Sequence, residues 1–349
     1  MSPVRLRTRR LDIRNGRVDL SHGAGGRAMA QVIDEIFRAA FDNPILDRGD
    51  DQAAFDLPGG RMVMSTDSYV ISPLFFPGGD IGSLAVHGTI NDVAMAGARP
   101  LHLAASYIIE EGFPLADLQR IAISMGRAAR DAGVAIVTGD TKVVERGKGD
   151  GVFITTTGVG VVPPGLDLSA DRARPGDLVI LSGFIGDHGV AVMSTRNNLG
   201  FETDILSDSA ALHELVALMV DVAAGSLRVM RDPTRGGVAT TLNEIAQQSG
   251  VGFLVDERAI PVRPAVQAAC ELLGLDPLHV ANEGKLVAIV APAAADALVA
   301  AMRTHPLGRD AVLIGEVTAD EQRFVQMTTS FGGGRIVDWL AGEQLPRIC

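Results

Sequence analysis

The chain has 349 residues, 47% hydrophobic and 21% charged, with a formal net charge of −11, values that suit a folded globular protein and exclude a disordered one. The acidic balance argues against a nucleic-acid partner, because phosphate binding needs a basic surface, and no run reaches the ~18 consecutive apolar residues of a membrane span. Two cysteines exclude a disulfide scaffold and fit a reducing, cytoplasmic setting; the length accommodates two domains with separate cores.

The chain opens with a basic cluster of Arg5, Arg7, Arg9, Arg10, Arg14 and Arg17. No apolar segment or cleavage site follows it, so residues 1–17 read as a frayed, solvated extension and not as a targeting signal. Ser21-His22-Gly23-Ala24-Gly25-Gly26 then runs into a helix marked by Met29, Val32, Ile33, Ile36, Phe37 and Ala40 at helical spacing. That loop fits two readings. Its backbone N–H groups, those of Gly25 and Gly26 included, cradle phosphate at the helix N-terminus, or it is a plain flexible loop. Arg61 to Thr66 reads as a strand delivering Asp67 at its end, and Asp80 caps a helix that stops at Gly97. Leu101 to Ile109 is a strand. Pro114 opens a helix with Leu118, Ile121, Ala122, Met125 and Ala129 on its apolar face, stopped by Gly133. Strands follow at Val134–Thr138 and Val152–Val162.

Between Pro163 and Asp177 lies a cluster of prolines, glycines and aspartates that reads as a domain boundary. It divides the chain into an extension (1–17), an N-terminal domain (18–165), a second α/β domain (166–338) and a flexible tail (339–349). The second domain predicts strands at Leu178–Leu181, Lys285–Val290, Ala311–Val317 and Arg323–Thr328, with helices near 187–197, 210–224, 237–249 and 264–273.

The chemistry-bearing residues are acidic or amide groups placed at strand ends and turns: Asp50, Asp51, Asp67 and Asp140, with Asn91 and Asp92 well inside an otherwise apolar helix. Carboxylates converging on one rim of a sheet would suit Mg²⁺, which binds through a few carboxylates plus nucleotide phosphates and water. Each aspartate taken singly also fits a turn or a cap. Arg231 to Gly237 forms a second glycine-containing loop ahead of a helix and adds a cation, Arg235. There is no Walker A sequence and no dinucleotide fingerprint, so an ATP site here has another architecture. Lys142 and Glu283 are candidate proton-transfer groups, the alternative being a surface ion pair or a solvated turn. No histidine spacing suggests zinc.

The last residue is Cys349, at the end of Leu345-Pro346-Arg347-Ile348-Cys349. A terminal thiol sits where frayed backbone makes ordered packing unexpected, whereas Cys270 falls on the apolar face of a helix, where free cysteine behaves as a small hydrophobe. Cys349 taken alone reads as an accidental thiol; together with the acidic and glycine-rich motifs it reads as functional.

These segments resemble one family. Ser65-Thr66-Asp67-Ser68-Tyr69, Pro73 to Gly79, Asn91-Asp92-Val93-Ala94, Gly139-Asp140-Thr141-Lys142, Gly186-Asp187-His188-Gly189, Asp232 to Gly237, Asn282-Glu283-Gly284-Lys285 and the terminal Pro346-Arg347-Ile348-Cys349 are similar to the HypE hydrogenase maturation factors. Those are carbamoyl dehydratases in the superfamily of aminoimidazole ribonucleotide synthetase. The resemblance runs from about residue 18 to the end. It implies a two-domain PurM-like α/β fold with mixed sheets, whose N-terminal domains pair into a shared β-barrel in a homodimer. It implies that a HypF-type carbamoyltransferase loads the Cys349 sulfur, and that ATP drives dehydration of the thiocarboxamide to a thiocyanate. The cyanide would then pass to iron on a HypC–HypD complex. Asp51, Asp67, Asn91, Asp92, Asp140 and Thr141 would hold Mg²⁺ and ATP, with Asp51, Asp67, Asp92 and Asp140 as metal ligands. Arg235 would serve phosphate, and Lys142 and Glu283 would position the carbamoyl group or move its protons. Two rivals are a kinase or selenophosphate synthetase of the same superfamily, which would not need a terminal cysteine, and a non-catalytic scaffold docking by its tail, which would not need the carboxylates.

Overall fold

The computed structural model describes residues 10–24, 26–48, 52–196, 204–223, 225–339 and 347–348. An N-terminal helical stretch combines α1 (Arg27–Val32), a π-helical run (Ile33–Arg38) and α2 (Ala39–Phe41). It is followed by β1 (Arg61–Tyr69), the short pair β2 (Phe75–Phe76) and β3 (Gly79–Asp80), α3 (Ile81–Met95), β4 (Arg99–Glu110), α4 (Leu115–Asp131), β5 (Ala135–Val144) and β6 (Val152–Val162). After them come β7 (Leu178–Leu181), α5 (Asp187–Arg196), α6 (His213–Ala223), β8 (Leu227–Arg231), α7 (Gly237–Ser249), β9 (Gly252–Asp256) and α8 (Pro264–Leu273). The chain ends with β10 (Val287–Val290), α9 (Pro292–Met302), β11 (Val312–Thr318), β12 (Val325–Thr328) and β13 (Gly334–Ile336).

The first sheet runs β1-β6-β4-β5, antiparallel except for the parallel β4–β5 pair. The second runs β13-β12-β9-β11-β7-β10-β8 and is parallel only at β12–β9. Strand alternation sorts the second sheet's side chains. Ile180, Met230 and Ala288 face a core built with α6 and α9, while Val179, Val229, Val287 and Ile289 face the core under α7. Helix α4 buries one stripe, Leu118, Ile121, Ala122 and Met125, as its spacing predicts. Helix α3 is buried nearly all round, the mark of a helix with neighbours on every side. Leu84 to Ile90 belong to the core of the first sheet, and Val93, Ala94 and Met95 to that of the second. Its N-terminus is fixed by Asp80, whose carboxylate accepts from the Gly82 and Ser83 amides.

Several expectations change. Strand β5 does not end at Thr138 but continues through Asp140, Thr141 and Lys142 to Val144. Gly139 is the reason: a Cβ there would lie 2.1 Å from the Ala105 carbonyl oxygen, so this glycine marks close approach of two strands and not a turn. Asp67 likewise lies within β1 and not at its end. Strands β8 and β9 and the alanine-rich helix α9 were not expected. Residues 10–17 are not a solvated extension: Leu11 and Ile13 pack against the first core, Arg17 Nη1 donates to the Gly112 carbonyl at 2.7 Å, and the Leu115 amide donates to the Gly16 carbonyl. The tail, expected to be frayed, is ordered at its described end, where Ile348 is 3% exposed within the first core.

Candidate active site

Asn91 and Asp92 sit where α3 passes from one core to the other, and they do different things. Asn91 donates its amide to the carbonyls of Ala210 (3.0 Å) and Glu283 (3.2 Å) and accepts from the Leu212 amide (2.8 Å). Both of its donors are thus committed to holding the segment around 210 and the 281–286 loop against α3, which corrects its assignment as an ATP ligand. Asp92 instead accepts from Ser65 Oγ at 2.8 Å, across to β1. On that strand Ser65, Asp67 and Tyr69 alternate toward α3, whereas Met62, Met64, Thr66 and Ser68 point away.

Four acids meet here. The Asp92 carboxyl is raised by burial and by the charge on Asp67, against the pull of Ser65 and Arg231. Half-buried Asp232 is pushed up to about 7 by desolvation, with Asp92 and Asp67 adding like charge. Glu283, 3% exposed, is raised well above the usual carboxylate range by burial and then by Asp232, Asp208, Asp67 and Asp92. Its Oε1 is buried without a hydrogen-bond partner, so Glu283 is neither a surface ion pair nor a solvated turn. Arg231 is the nearby cation, held by Glu244 at 2.6 Å. Asp208 accepts from the Glu283 amide at 3.0 Å and from Lys285 Nζ at 3.1 Å, and so fixes the loop that carries Glu283.

Asp67 and Asp92 fit a magnesium ion chemically: two carboxylates that repel each other would be relieved by a cation, and Mg²⁺ characteristically takes one or two carboxylates and fills its shell with phosphate oxygens and water. Among the described residues no group of three or more His, Cys, Asp or Glu could hold a metal. Among the described residues, the metal set of Asp67, Asp92 and Asp140 is therefore not assembled. Asp51 lies outside the described residues. Asp140 lies on β5, at the opposite edge of the sheet from β1, three strand spacings or about 14 Å away. It also faces the other way. Its register partners are Ser106, then Thr155 and Ser68, the row pointing away from α3. Lys142, two residues on, shares that face and pairs with Asp140 at 2.6 Å, which lowers the Asp140 pKa. Thr141 turns inward and is buried, which corrects its placement beside Asp140 in a nucleotide site.

Of the glycine loops, Gly25 lies outside the described residues. Gly26 is the N-cap of α1 in extended conformation and makes no side-chain cap hydrogen bond. Gly236 and Gly237 take φ of 76° and 59° at the start of α7, a left-handed turn that β-carbons disfavour; Arg235 beside them is exposed. Cys349 lies outside the described residues, but its neighbours do not. Arg347 donates from Nε to the Val70 carbonyl at 2.8 Å and pairs with Asp150, and its own carbonyl accepts from the Ser72 amide and from Arg196. Sequence reasoning quoted Asp232 within a motif without giving it a role. It missed Asp208 entirely, for which a three-residue polar run at 207–209 is the only local signal.

Two family models match the chain: AIR synthase related protein, N-terminal domain, over residues 49–162, and AIR synthase related protein, C-terminal domain, over residues 174–328. Together they place the chain in the superfamily of AIR synthase related proteins. A protein of Rhizobium leguminosarum bv. viciae named carbamoyl dehydratase HypE is 71% identical over 346 residues, covering 99% of this chain and 99% of its own. A crystal structure of hydrogenase maturation protein HypE in complex with ATP superposes with a TM-score of 0.91 at 50% identity, covering 95% of this chain and 99% of its own. One of a HypE–HypF complex does so with 0.78 at 49% identity, covering 88% and 99%. The chain belongs to the carbamoyl dehydratase HypE family of hydrogenase maturation enzymes. Among the described residues, no helix is long and apolar enough to cross a membrane.

Proposed function

We propose that this chain converts a carbamoyl group carried on the Cys349 sulfur into a thiocyanate at the expense of ATP, after loading by a HypF-type partner and before cyanide delivery to iron on a HypC–HypD complex. The observation that carries this reading is where Arg347 and Ile348 are held. Ile348 is buried and its carbonyl is held by His188 at 2.8 Å; the next residue of α5, Gly189, donates to Ala281, two residues before Glu283. The described end of the tail thus sits beside the loop that carries the buried glutamate.

The balance is that of a dehydration: the S-carbamoyl group and ATP give the S-cyano group, ADP and phosphate. ATP supplies the phosphoryl group that turns the carbamoyl oxygen from a poor leaving group into a good one. Asp67 and Asp92 would hold Mg²⁺, with Asp51 as a further ligand, and Gly25, Gly26 and Arg235 would serve phosphate. Glu283 carries a buried, unsatisfied oxygen on the loop near the tail, and because its surroundings raise its pKa, its carboxylate is a strong base, suited to accepting from an amide N–H and then taking its proton. Lys142 and Asp140 face away from α3, where Met64 (70% exposed), Met62 and Ile108 leave an open apolar surface. Pairing of two chains over this surface brings Lys142 into an enclosed site, so its part in the chemistry belongs to the homodimer. Intact-mass analysis of the tail after incubation with the carbamoylating partner tests the reading. A carbamoyl adduct that loses water only with Mg-ATP is expected, and no adduct on Cys349→Ser. Normal cyanide transfer by Cys349→Ser would overturn it.

A further inference from the structure

The last described peptide of the chain is gripped through its backbone. His188 is fully buried on α5. Its Nε2 lies 2.8 Å from the Ile348 carbonyl oxygen and its Nδ1 lies 2.8 Å from Ser207 Oγ. A carbonyl only accepts, so the proton is on Nε2 and Nδ1 accepts from the Ser207 hydroxyl. Ser207 Oγ in turn accepts from the Ser209 amide at 3.1 Å, which leaves the hydroxyl proton for the imidazole. The ring is packed edge-on against Phe76, centroids 5.5 Å apart, so it cannot swing without opening the core. Burial lowers the His188 pKa, which keeps the ring neutral and this tautomer in place. The residue before is gripped in the same manner, since Arg196 donates to the carbonyls of both Ser72 and Arg347.

We propose that His188 is a positioning residue for the reacting tail: by donating from Nε2 to the Ile348 carbonyl it fixes the peptide whose nitrogen belongs to Cys349, and so sets where the thiol and its carbamoyl group are presented to Glu283. This rests on the functional reading above. Recognition through a main-chain carbonyl asks nothing of the side chain at 348 beyond burial, so a change there is a packing change, whereas loss of the His188 donor frees the peptide itself.

The Arg347–Ile348 bond is a trypsin site that the docked tail withholds, and cleavage removes a dipeptide readable by intact mass. In the full-length chain, His188→Ala should lose the dipeptide at least about tenfold faster than the native chain. His188→Gln, whose side-chain amide places an N–H near Nε2, should stay within about threefold. Ser207→Ala, a milder change that leaves the ring in place, should lie between them. Cleavage at other exposed sites controls for general loosening. Dehydration of the carbamoylated tail should slow in His188→Ala and recover in His188→Gln. Native-like protection in both His188→Ala and Ser207→Ala overturns the proposal, as does equal loss of protection in His188→Ala and His188→Gln. A native chain that never dehydrates its tail defeats the functional reading alone and leaves the trypsin comparison intact.

Discussion

Asn91 donates its side-chain amide to the main-chain carbonyl of Glu283 at 3.2 Å, across 192 residues of sequence. The same amide holds Ala210 and Leu212, so one side chain ties α3 to both segments that frame the glutamate. Asn91→Ala leaves these buried groups unpaired, at about 1–3 kcal/mol for each that finds no substitute. The melting temperature should fall by several degrees, and dehydration should slow more than tail loading. A variant with native stability and native dehydration would show that Glu283 is held by something else.

Glu283→Gln and Lys142→Ala separate loading from chemistry. Under the proposed function loading would take place in the partner's active site, so both variants should still acquire the carbamoyl group on Cys349. Each should dehydrate it more slowly by on the order of 10²–10⁴-fold, leaving an adduct that persists with Mg-ATP in intact-mass spectra. Normal thiocyanate formation in both would remove these residues from the reaction.

The raised acids set the pH dependence of stability. Asp232 is pushed from 3.8 to about 7 in the folded chain, so between these values the folded state binds more protons than the unfolded one. Its contribution is full below about pH 4 and is lost as pH rises toward 7; Glu283, also raised well above the usual carboxylate range, adds a loss of the same sign. Asp232→Asn should therefore melt higher relative to the native chain at pH 7.5 than at pH 4.5. A difference independent of pH, read by thermal unfolding at the two values, would contradict this.

Local patterns made some of this legible in the sequence. Helix α4 follows its apolar spacing, α3 its Asp80 cap, and Asn91-Asp92 drew notice as polar residues inside an apolar helix. What was illegible depended on contacts far apart in the chain. Gly139 looks like a turn glycine until Ala105 is seen against it, and nothing local distinguishes Asp208 before Glu283 and Lys285 meet it. The tail was expected to fray because terminal position was the only available guide; the side chain that holds the Ile348 carbonyl, His188, lies 160 positions away in sequence. The rim of carboxylates failed for a simpler reason: side chains on a strand alternate, and the sheet places Asp67 and Asp140 on opposite faces and opposite edges.

The outward face of the first sheet carries Met62, Met64 and Ile108, each about half exposed or more. Such a face on a sheet with two open edges is a ready surface for a second copy of the chain. Sedimentation at micromolar concentration should show a dimer, and Met64→Glu should shift it toward monomer without lowering the melting temperature of the dilute protein. A native monomer with full ATPase activity would rule the pairing out.

Asp67 offers the sharpest test of the metal site, because its two effects have opposite signs. Without nucleotide its charge is a liability: it lies among Asp92, Asp232 and Glu283 and raises all three. Asp67→Asn removes that repulsion while keeping the shape, so the ligand-free protein should melt at a higher temperature than the native one. With Mg-ATP the same carboxylate would be an asset, supplying a hard oxygen to the ion. The variant should bind Mg-ATP about tenfold or more weakly in calorimetric titration, and its thermal shift on adding Mg-ATP should shrink, since ligand stabilisation follows the ratio of concentration to dissociation constant. A residue that merely packs would lose stability without ligand and keep its shift; a site residue strained for binding gains the first and loses the second. If Asp67→Asn melts lower and keeps the full Mg-ATP shift, Asp67 is not a metal ligand and the magnesium site must be sought elsewhere.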